Sequence, residues 1–387
     1  MTLNPIRLQA LPPLSLYIHF PWCVRKCPYC DFNSHEKKAE IDEAGYIDAL
    51  IQDLEMTLPL IWGRSVQTIF MGGGTPSLFS APALERLLSA IRARVRLDPQ
   101  AEITLEANPG TFERAKFKDY RAAGINRLSI GVQSFSTQHL QQLGRIHDAQ
   151  DAYNAIDIAH QYFDNFNIDL MYALPKQTMQ QAKADIDAAI QTKAPHISAY
   201  QLTLEPNTLF HRYPPLLPDE DIAAAMQDML EIKLAALGYQ HYETSAFAQP
   251  KHRARHNMNY WQFGDYVGIG AGAHAKISFP DKIIRQMRYK QPTQYLRQVK
   301  QGTPIQTEQL LTPAELPFEF MMNAMRLTEG MLLSMFTERT GLPLTAILKQ
   351  LDQLEAQGFI WRDHQKLHPT LQGQRFLNTA LQIFLPD

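Results

Sequence analysis

Residues 14–30 read Leu-Ser-Leu-Tyr-Ile-His-Phe-Pro-Trp-Cys-Val-Arg-Lys-Cys-Pro-Tyr-Cys, an apolar run that ends in a loop holding Cys23, Cys27 and Cys30. These are the 3 cysteines of a 387-residue chain. A disulfide framework needs an even count spread through a secreted protein, so three thiols crowded into one loop point to thiolate ligation in a reducing compartment. The Cys-x3-Cys-x2-Cys spacing suits a cubane [4Fe-4S] cluster in which three irons have protein ligands and the fourth is open to a small molecule. A zinc ion completed by His19 or His35 is the other assignment this donor set allows.

The run before the cysteines reads as the first of a series of strands. Further apolar or β-branched runs fall at Val66 to Met71, Glu102 to Glu106, Arg127 to Gly131, Asn167 to Tyr172 and His196 to Leu202. Between them lie helical patterns such as Leu84, Leu87, Leu88, Ile91 and Val95, an apolar stripe facing a sheet. The alternation predicts an α/β fold: a partial (β/α)6 TIM-like barrel over residues 1–245, a post-barrel segment over 246–307, and a smaller, mainly helical C-terminal domain over 308–387. Such a barrel builds its site from loops at the C-terminal ends of the strands. Here those ends offer the cysteines, Gly72-Gly73-Gly74-Thr75, Glu106 with Asn108, Gln133, Asp169, and Thr203 with Glu205. Singly, each is an ordinary turn or cap residue. Together they suggest a pocket for S-adenosylmethionine. The glycine run would grip the amino-acid end through exposed N–H and C=O groups. Glu106 would take a ribose diol, Gln133 and Asp169 would add hydrogen bonds, and Arg145 would pair with a carboxylate, a surface role being its other reading.

Composition bounds the function. The chain is 45% hydrophobic with net charge −2, which supports a large core and gives no general attraction to nucleic acid. Prolines at 12 and 13 interrupt the N-terminal stretch, and no uncharged apolar run approaches a membrane span. A cytoplasmic protein is expected, with any membrane contact peripheral. From Lys282 to Lys300 there are six basic residues and no acid, read either as a solvated face or as an anion contact.

The blocks Tyr17-Ile18-His19-Phe20-Pro21-Trp22-Cys23, Gly72-Gly73-Gly74-Thr75-Pro76, Gly131-Val132-Gln133-Ser134-Phe135, Ile168-Asp169-Leu170 and Leu174-Pro175-Lys176-Gln177-Thr178 occur in this order. They resemble the radical S-adenosylmethionine superfamily and, within it, the oxygen-independent coproporphyrinogen III oxidase family. The resemblance implies that Cys23, Cys27 and Cys30 hold the cluster. It implies that Tyr17, Tyr29, Gly73, Gly74, Thr75, Glu106, Gln133, Arg145 and Asp169 contact S-adenosylmethionine, with Thr203 a weaker candidate. Two departures separate the chain from the oxidases. Phe32 stands where their pattern has a further cysteine, and strand one begins too early for their longer N-terminal segment. Both resemble the heme chaperone branch, whose members bind heme and hand it to acceptor proteins. A carrier is therefore expected in preference to an enzyme, the alternative being a porphyrinogen-oxidising radical enzyme; a nucleic-acid-modifying one is disfavoured by the charge balance.

After the barrel comes Lys251-His252-Arg253-Ala254-Arg255-His256-Asn257-Met258-Asn259-Tyr260-Trp261. An imidazole can ligate heme iron, aromatic rings can stack on a macrocycle and arginines can meet propionates, while a structural role for His256 is the plainer reading. The His256-Asn257-x-x-Tyr260-Trp261 run resembles the heme-binding motif of the chaperone branch, which implies that His256 takes part in binding heme. Gly268-Ile269-Gly270-Ala271-Gly272-Ala273-His274 fits a dinucleotide pattern in name only, since no carboxylate follows at the right distance. Close backbone packing is expected there, with His274 a reserve heme ligand. From Glu308 onward the chain reads as helices, one over Pro343 to Gln357, followed by a short strand pair. That region has six basic and nine acidic residues, the wrong balance for DNA. Its run of methionines, Met321, Met322, Met325, Met331 and Met335, is expected to be core before it is an adaptable surface.

Overall fold

Each of the six anticipated strands forms: β1 (Leu14–Phe20), β2 (Ser65–Gly73), β3 (Arg96–Ala107), β4 (Arg127–Gln133), β5 (Phe166–Tyr172) and β6 (His196–Gln201). They lie side by side in chain order, all parallel. The computed structural model describes residues 6–110 and 116–386. The period of two along each strand separates two environments. Leu14, Leu16, Ile18 and Phe20 join the main core with helix residues such as Leu50 and Leu84. The alternate positions turn to the concave side, where Ser15, Thr68, Glu102, Arg127, Asn167 and His196 form a buried polar lining. That lining keeps the strands from reading as unbroken apolar runs, the usual mark of parallel strands.

The chain after the barrel extends the same sheet at both edges. β7 (Gln240–Glu243) and β8 (Ala246–Ala248) add antiparallel strands beside β6. On the other side β9 (Asp265–Ile269) lies parallel to β1, followed outward by antiparallel β10 (His274–Ser278), β11 (Ile283–Arg288) and β12 (Ile305–Leu310). The glycine-rich run is the turn from β9 to β10. It leads into a strand, whereas a dinucleotide fingerprint would open a helix. Gly272 (φ +82°) brings the backbone so close to the cysteine loop that a Cβ would lie 2.2 Å from Asn33 Nδ2. Asn33 donates to Ala271 O and Lys290 O, both at 2.9 Å, and so fastens the loop to this turn.

A buried latch ties the flank to the first barrel helix, Glu43–Thr57. Asp53 Oδ1 is 3.0 Å from Arg288 Nη2, while Asp53 Oδ2 accepts from the Tyr295 hydroxyl at 2.8 Å and from Gly270 N at 3.2 Å. Below the sheet, the seven-residue helix Arg255–Trp261 closes the open barrel. The N–H groups of Arg255 and His256 donate to the Glu102 carboxylate at 3.1 Å, and Asn259 Nδ2 donates to Ser15 Oγ and Asp265 O at 2.9 Å.

The C-terminal region forms a second core of Phe320, Phe336, Leu351 and neighbours, which also takes in Ile6, Leu8 and Phe263. Its helices Leu316–Ala324, Leu333–Thr340 and Leu348–Ala356 pack with a three-stranded sheet. The helix expected from Pro343 starts at Leu348, because Ile347 (φ −123°, ψ 2°) interrupts it after a single 3-10 turn. Met321, Met325 and Met331 are buried, so core packing accounts for them. Among the described residues no helix is long and apolar enough to cross a membrane.

Candidate functional site

The strands' C-terminal ends converge on a cavity of about 170 Å3. Cys23, Cys27 and Cys30 line it, and so do Tyr29, Gly73, Gly74, Thr75, Glu106, Gln133, Arg145 and Asp169. The structure thus brings together the site residues named for the cluster and the nucleotide except Tyr17 and the weaker candidate Thr203. Thr203 lies elsewhere, donating to Glu205 Oε1 at 2.7 Å on an exposed loop. The glycine run shapes the approach. Gly73 has φ +113°, and a Cβ there would lie 2.4 Å from the His19 ring, so no other residue fits without displacing that ring. One detail differs from the sequence-based expectation. The N–H groups of Gly73, Gly74 and Thr75 are already taken by Glu106 Oε2, Phe20 O and Trp22 O at 3.0, 2.7 and 2.7 Å. The run's grip on a ligand falls to its carbonyl oxygens, because Glu106 and the backbone at the end of β1 use its donors.

The thiols sit among neighbours suited to thiolate charge. Arg145 Nη1 donates to Cys27 Sγ at 3.7 Å, and Ser34 Oγ lies 3.7 Å from Cys30 Sγ. Burial raises the Cys23 and Cys30 thiols, so metal binding would release protons from them. Three partly buried thiols on one loop, facing a guanidinium and a polar cavity, fit a cluster with three protein ligands. His19, one candidate for completing a zinc site, has both ring nitrogens engaged: Nε2 donates to Asn33 O at 2.9 Å and Nδ1 accepts from the Tyr17 hydroxyl at 3.0 Å. Burial holds its pKa down at about 4.

Arg145 also donates from Nη2 to Asn108 Oδ1 at 2.6 Å and to Gly131 O at 2.9 Å, bracing the ends of β3 and β4. Two carboxylates lie opposite. Burial, and secondarily Asp169, pushes Glu106 up to about 7. Burial also raises Asp169, although Asn167 Nδ2 at 2.8 Å and Ser129 Oγ at 3.2 Å donate to it. A ligand offering hydroxyl donors would relieve that burial cost. Gln133 reaches the cavity from a left-handed backbone (φ +67°), an unfavourable conformation for a residue with a side chain. Next to it Asp185 accepts from Ser134 Oγ at 2.7 Å and from Phe135 N at 2.8 Å. Sequence reasoning missed Asp185, since an acid inside a helical pattern carries no mark of a buried partner.

Tyr17 faces a second cavity, of about 390 Å3, that adjoins the first through Phe32, Gly73 and Glu106. Its walls include Tyr260, Trp261 and Tyr266, with Arg285 and His274 from the flanking strands. Tyr260 and Tyr266 pack edge to face at 4.6 Å. His256 lies beneath this wall, 1% exposed. Its Nδ1 is 2.7 Å from Thr68 Oγ1 and its Nε2 is 2.9 Å from the Tyr260 hydroxyl. Thr68 Oγ1 spends its proton on Ser15 Oγ, so Nδ1 donates to Thr68 and Nε2 accepts from Tyr260. Burial drives the imidazole down to about 3, keeping it neutral. In this arrangement His256 holds Tyr260 and has no ring nitrogen to spare. Tyr266 was not singled out for a site from the sequence, and Arg285 only as one basic residue of the 282–300 run, because their places on β9 and β11 depend on strand pairings that no local pattern announces.

Two family models match the chain: the radical SAM superfamily over residues 17–189 and the HemN C-terminal domain over residues 311–376. Heme chaperone HemW of Escherichia coli is 48% identical, covering 97% of this chain and 99% of that protein. Heme chaperone HemW of Haemophilus influenzae is 46% identical, covering 98% and 100%. Among solved structures, coproporphyrinogen III oxidase (HemN) from Escherichia coli, a radical SAM enzyme, superposes with a TM-score of 0.82 at 24% identity, covering 97% of this chain and 90% of that one, a likeness of fold. The chain belongs to the radical SAM superfamily and, within it, to the family of heme chaperone HemW.

Proposed function

We propose that the protein is a heme carrier that holds a [4Fe-4S] cluster and S-adenosylmethionine in its first cavity and hands heme to an acceptor protein in the cytoplasm. The observation that carries this reading is the aromatic cavity set directly against the thiol-lined one, with Phe32 on both. Cys23, Cys27 and Cys30 would hold the cluster. The carbonyls of the glycine run would meet the ligand's amino group, Arg145 its carboxylate and Glu106 its ribose, with Tyr29, Thr75, Gln133 and Asp169 completing the walls. When bound, the cluster and S-adenosylmethionine supply one-electron chemistry at the open iron. Tyr17 acts on the other side, donating to His19 and so fixing the wall between the cavities. His256 contributes to heme binding by orienting Tyr260. The names of the relatives support the heme assignment.

The test is anaerobic. Reconstituted protein should hold about four irons and four sulfides per chain, the content of one cubane, and a triple Cys→Ala variant should hold none. Stoichiometric zinc without sulfide in protein purified without oxygen would refute the cluster. Reduced holoprotein should bind heme and leave coproporphyrinogen III unchanged. Formation of vinyl groups would make it an oxidase instead.

A further inference from the structure

Two imidazoles line the aromatic cavity, and their situations are opposite. His19 is buried with both nitrogens engaged. His274, the first residue of β10, is exposed, and among the described residues neither of its ring nitrogens has a hydrogen-bond partner. Opposite residues of antiparallel strands share a face, so the pairs His274–Met287 and Lys276–Arg285 put all four side chains on one side of the sheet, together with Tyr266 opposite Lys276. Two of the four are cations, and both are committed: Lys276 to Asp265 at 2.9 Å, Arg285 to Glu319 and to the Tyr266 hydroxyl. Lys290, in the turn beyond β11, is different. Its backbone carbonyl accepts from Asn33, while its exposed ammonium has no ion pair among the described residues. Lys290 lies close enough to His274 to depress the imidazole, after burial the largest influence on it. The ring is thereby kept in the neutral form that ligates iron. Trp261 adds a buried indole N–H that has no hydrogen-bond partner among the described residues.

This set asks for one kind of ligand: a planar apolar body for the rings, a metal for an unpartnered neutral imidazole, and an anionic group for a free lysine. Accepting the heme-carrier reading above, on which this step rests, we infer that heme seats in this cavity with His274 as the protein ligand of its iron and Lys290 as the partner of a propionate. The cavity of about 390 Å3 is large enough for a small-molecule site. The exposed position of His274 keeps the iron near solvent, as handover requires. His256 then serves as a positioning residue beneath Tyr260 and does not touch the metal.

Titration of the full-length reconstituted protein with ferric heme tests the assignment, with absorption spectra and affinities read together. His274→Ala should shift the Soret band and weaken binding by more than about tenfold, the loss that even an outer-shell partner of a metal ligand can bring. Added imidazole should restore the wild-type spectrum, and affinity for iron-free protoporphyrin should match wild type. His256→Ala should retain the imidazole-type spectrum while binding less tightly. Lys290→Glu should weaken heme severalfold and heme dimethyl ester little. If His274→Ala retains the wild-type spectrum and affinity, His274 is not the ligand. Equal loss of heme and protoporphyrin, without rescue by imidazole, would likewise overturn ligation in favour of a structural role. If the wild-type chain binds no stoichiometric heme, the carrier reading itself fails.

Discussion

The two cavities share Phe32, Gly73 and Glu106 but are built by opposite means. The first gathers thiols, carboxylates and a guanidinium from the ends of parallel strands, with all three thiols supplied by the loop after β1. The second is made largely from strand faces and from the helix that closes the barrel, so that its rings and cations come from the flank of the sheet. A site at strand ends survives as long as the barrel does. A site between faces also requires that β9, β10 and β11 stay registered against β1, and that registration hangs on a few buried polar contacts.

The largest effect expected from breaking the comparison is at Asp53. Asp53→Ala would leave Arg288, 1% exposed, as a buried charge without its carboxylate, and would take from the Tyr295 hydroxyl its acceptor. Loss of one partner from a buried pair costs about 3–5 kcal/mol, which should appear as a lowered denaturation midpoint. Hydrogen exchange should localise the damage. Amides of residues 265–290 should exchange faster while those of β3 to β5 keep their protection; uniform acceleration would mean that the flank is no separate unit.

The same contrast explains what the sequence revealed. Chemistry on the strands is legible because a residue type, its neighbours in the chain and the period of the strand suffice to place it: Glu106 and Gln133 stand at the ends of β3 and β4, Asp169 lies within β5, and all three line the first cavity. The Thr68 partner of His256 was illegible, because it meets the ring only once the helix closes the barrel from below, whereas Tyr260 lies one turn on in the same helix. The donors of the glycine run were misjudged for a related reason. Their acceptors are Glu106 Oε2 on β3 and Phe20 O and Trp22 O at and just after the end of β1, and glycine-rich composition says nothing about which backbone groups will already be paired.

A smaller effect is expected at Glu106, whose pH dependence separates fold from ligand. Its folded pKa, about 7, lies above the 4.5 ordinary for a glutamate side chain. A carboxyl with a raised pKa contributes stability that is present below the unfolded value and lost as pH rises through the folded one. The ligand-free chain should therefore lose stability between about pH 4.5 and about pH 7 on account of this group. Glu106→Gln should remove that loss and raise the apo midpoint at pH 8. In the proposed site S-adenosylmethionine would take the ionised carboxylate as its acceptor, so its binding should strengthen as pH rises through about 7 in the wild-type protein. In the variant it should weaken about tenfold at pH 8, the scale of a hydrogen bond to a charged group, and lose its pH dependence. A variant that binds as tightly as wild type at pH 8 would remove Glu106 from the nucleotide site.

The smallest effect, and the one that bears on both cavities at once, belongs to Phe32. Its side chain is 60% exposed and lines both cavities, so it can gain contacts from a ligand on either side. Truncation to alanine should leave thermal stability nearly unchanged, because little apolar surface is buried there in the free protein. Covering a half-exposed aromatic ring contributes on the order of 1 kcal/mol, so Phe32→Ala should weaken heme and S-adenosylmethionine by a few fold each. Each ligand should also become less sensitive to the other, since the wall through which their sites touch has been removed. Reciprocity requires that the two changes in sensitivity be equal when both affinities are measured with and without the second ligand. If only one affinity falls, Phe32 belongs to a single cavity and the two sites are joined elsewhere, with Gly73 and Glu106 as the remaining shared residues.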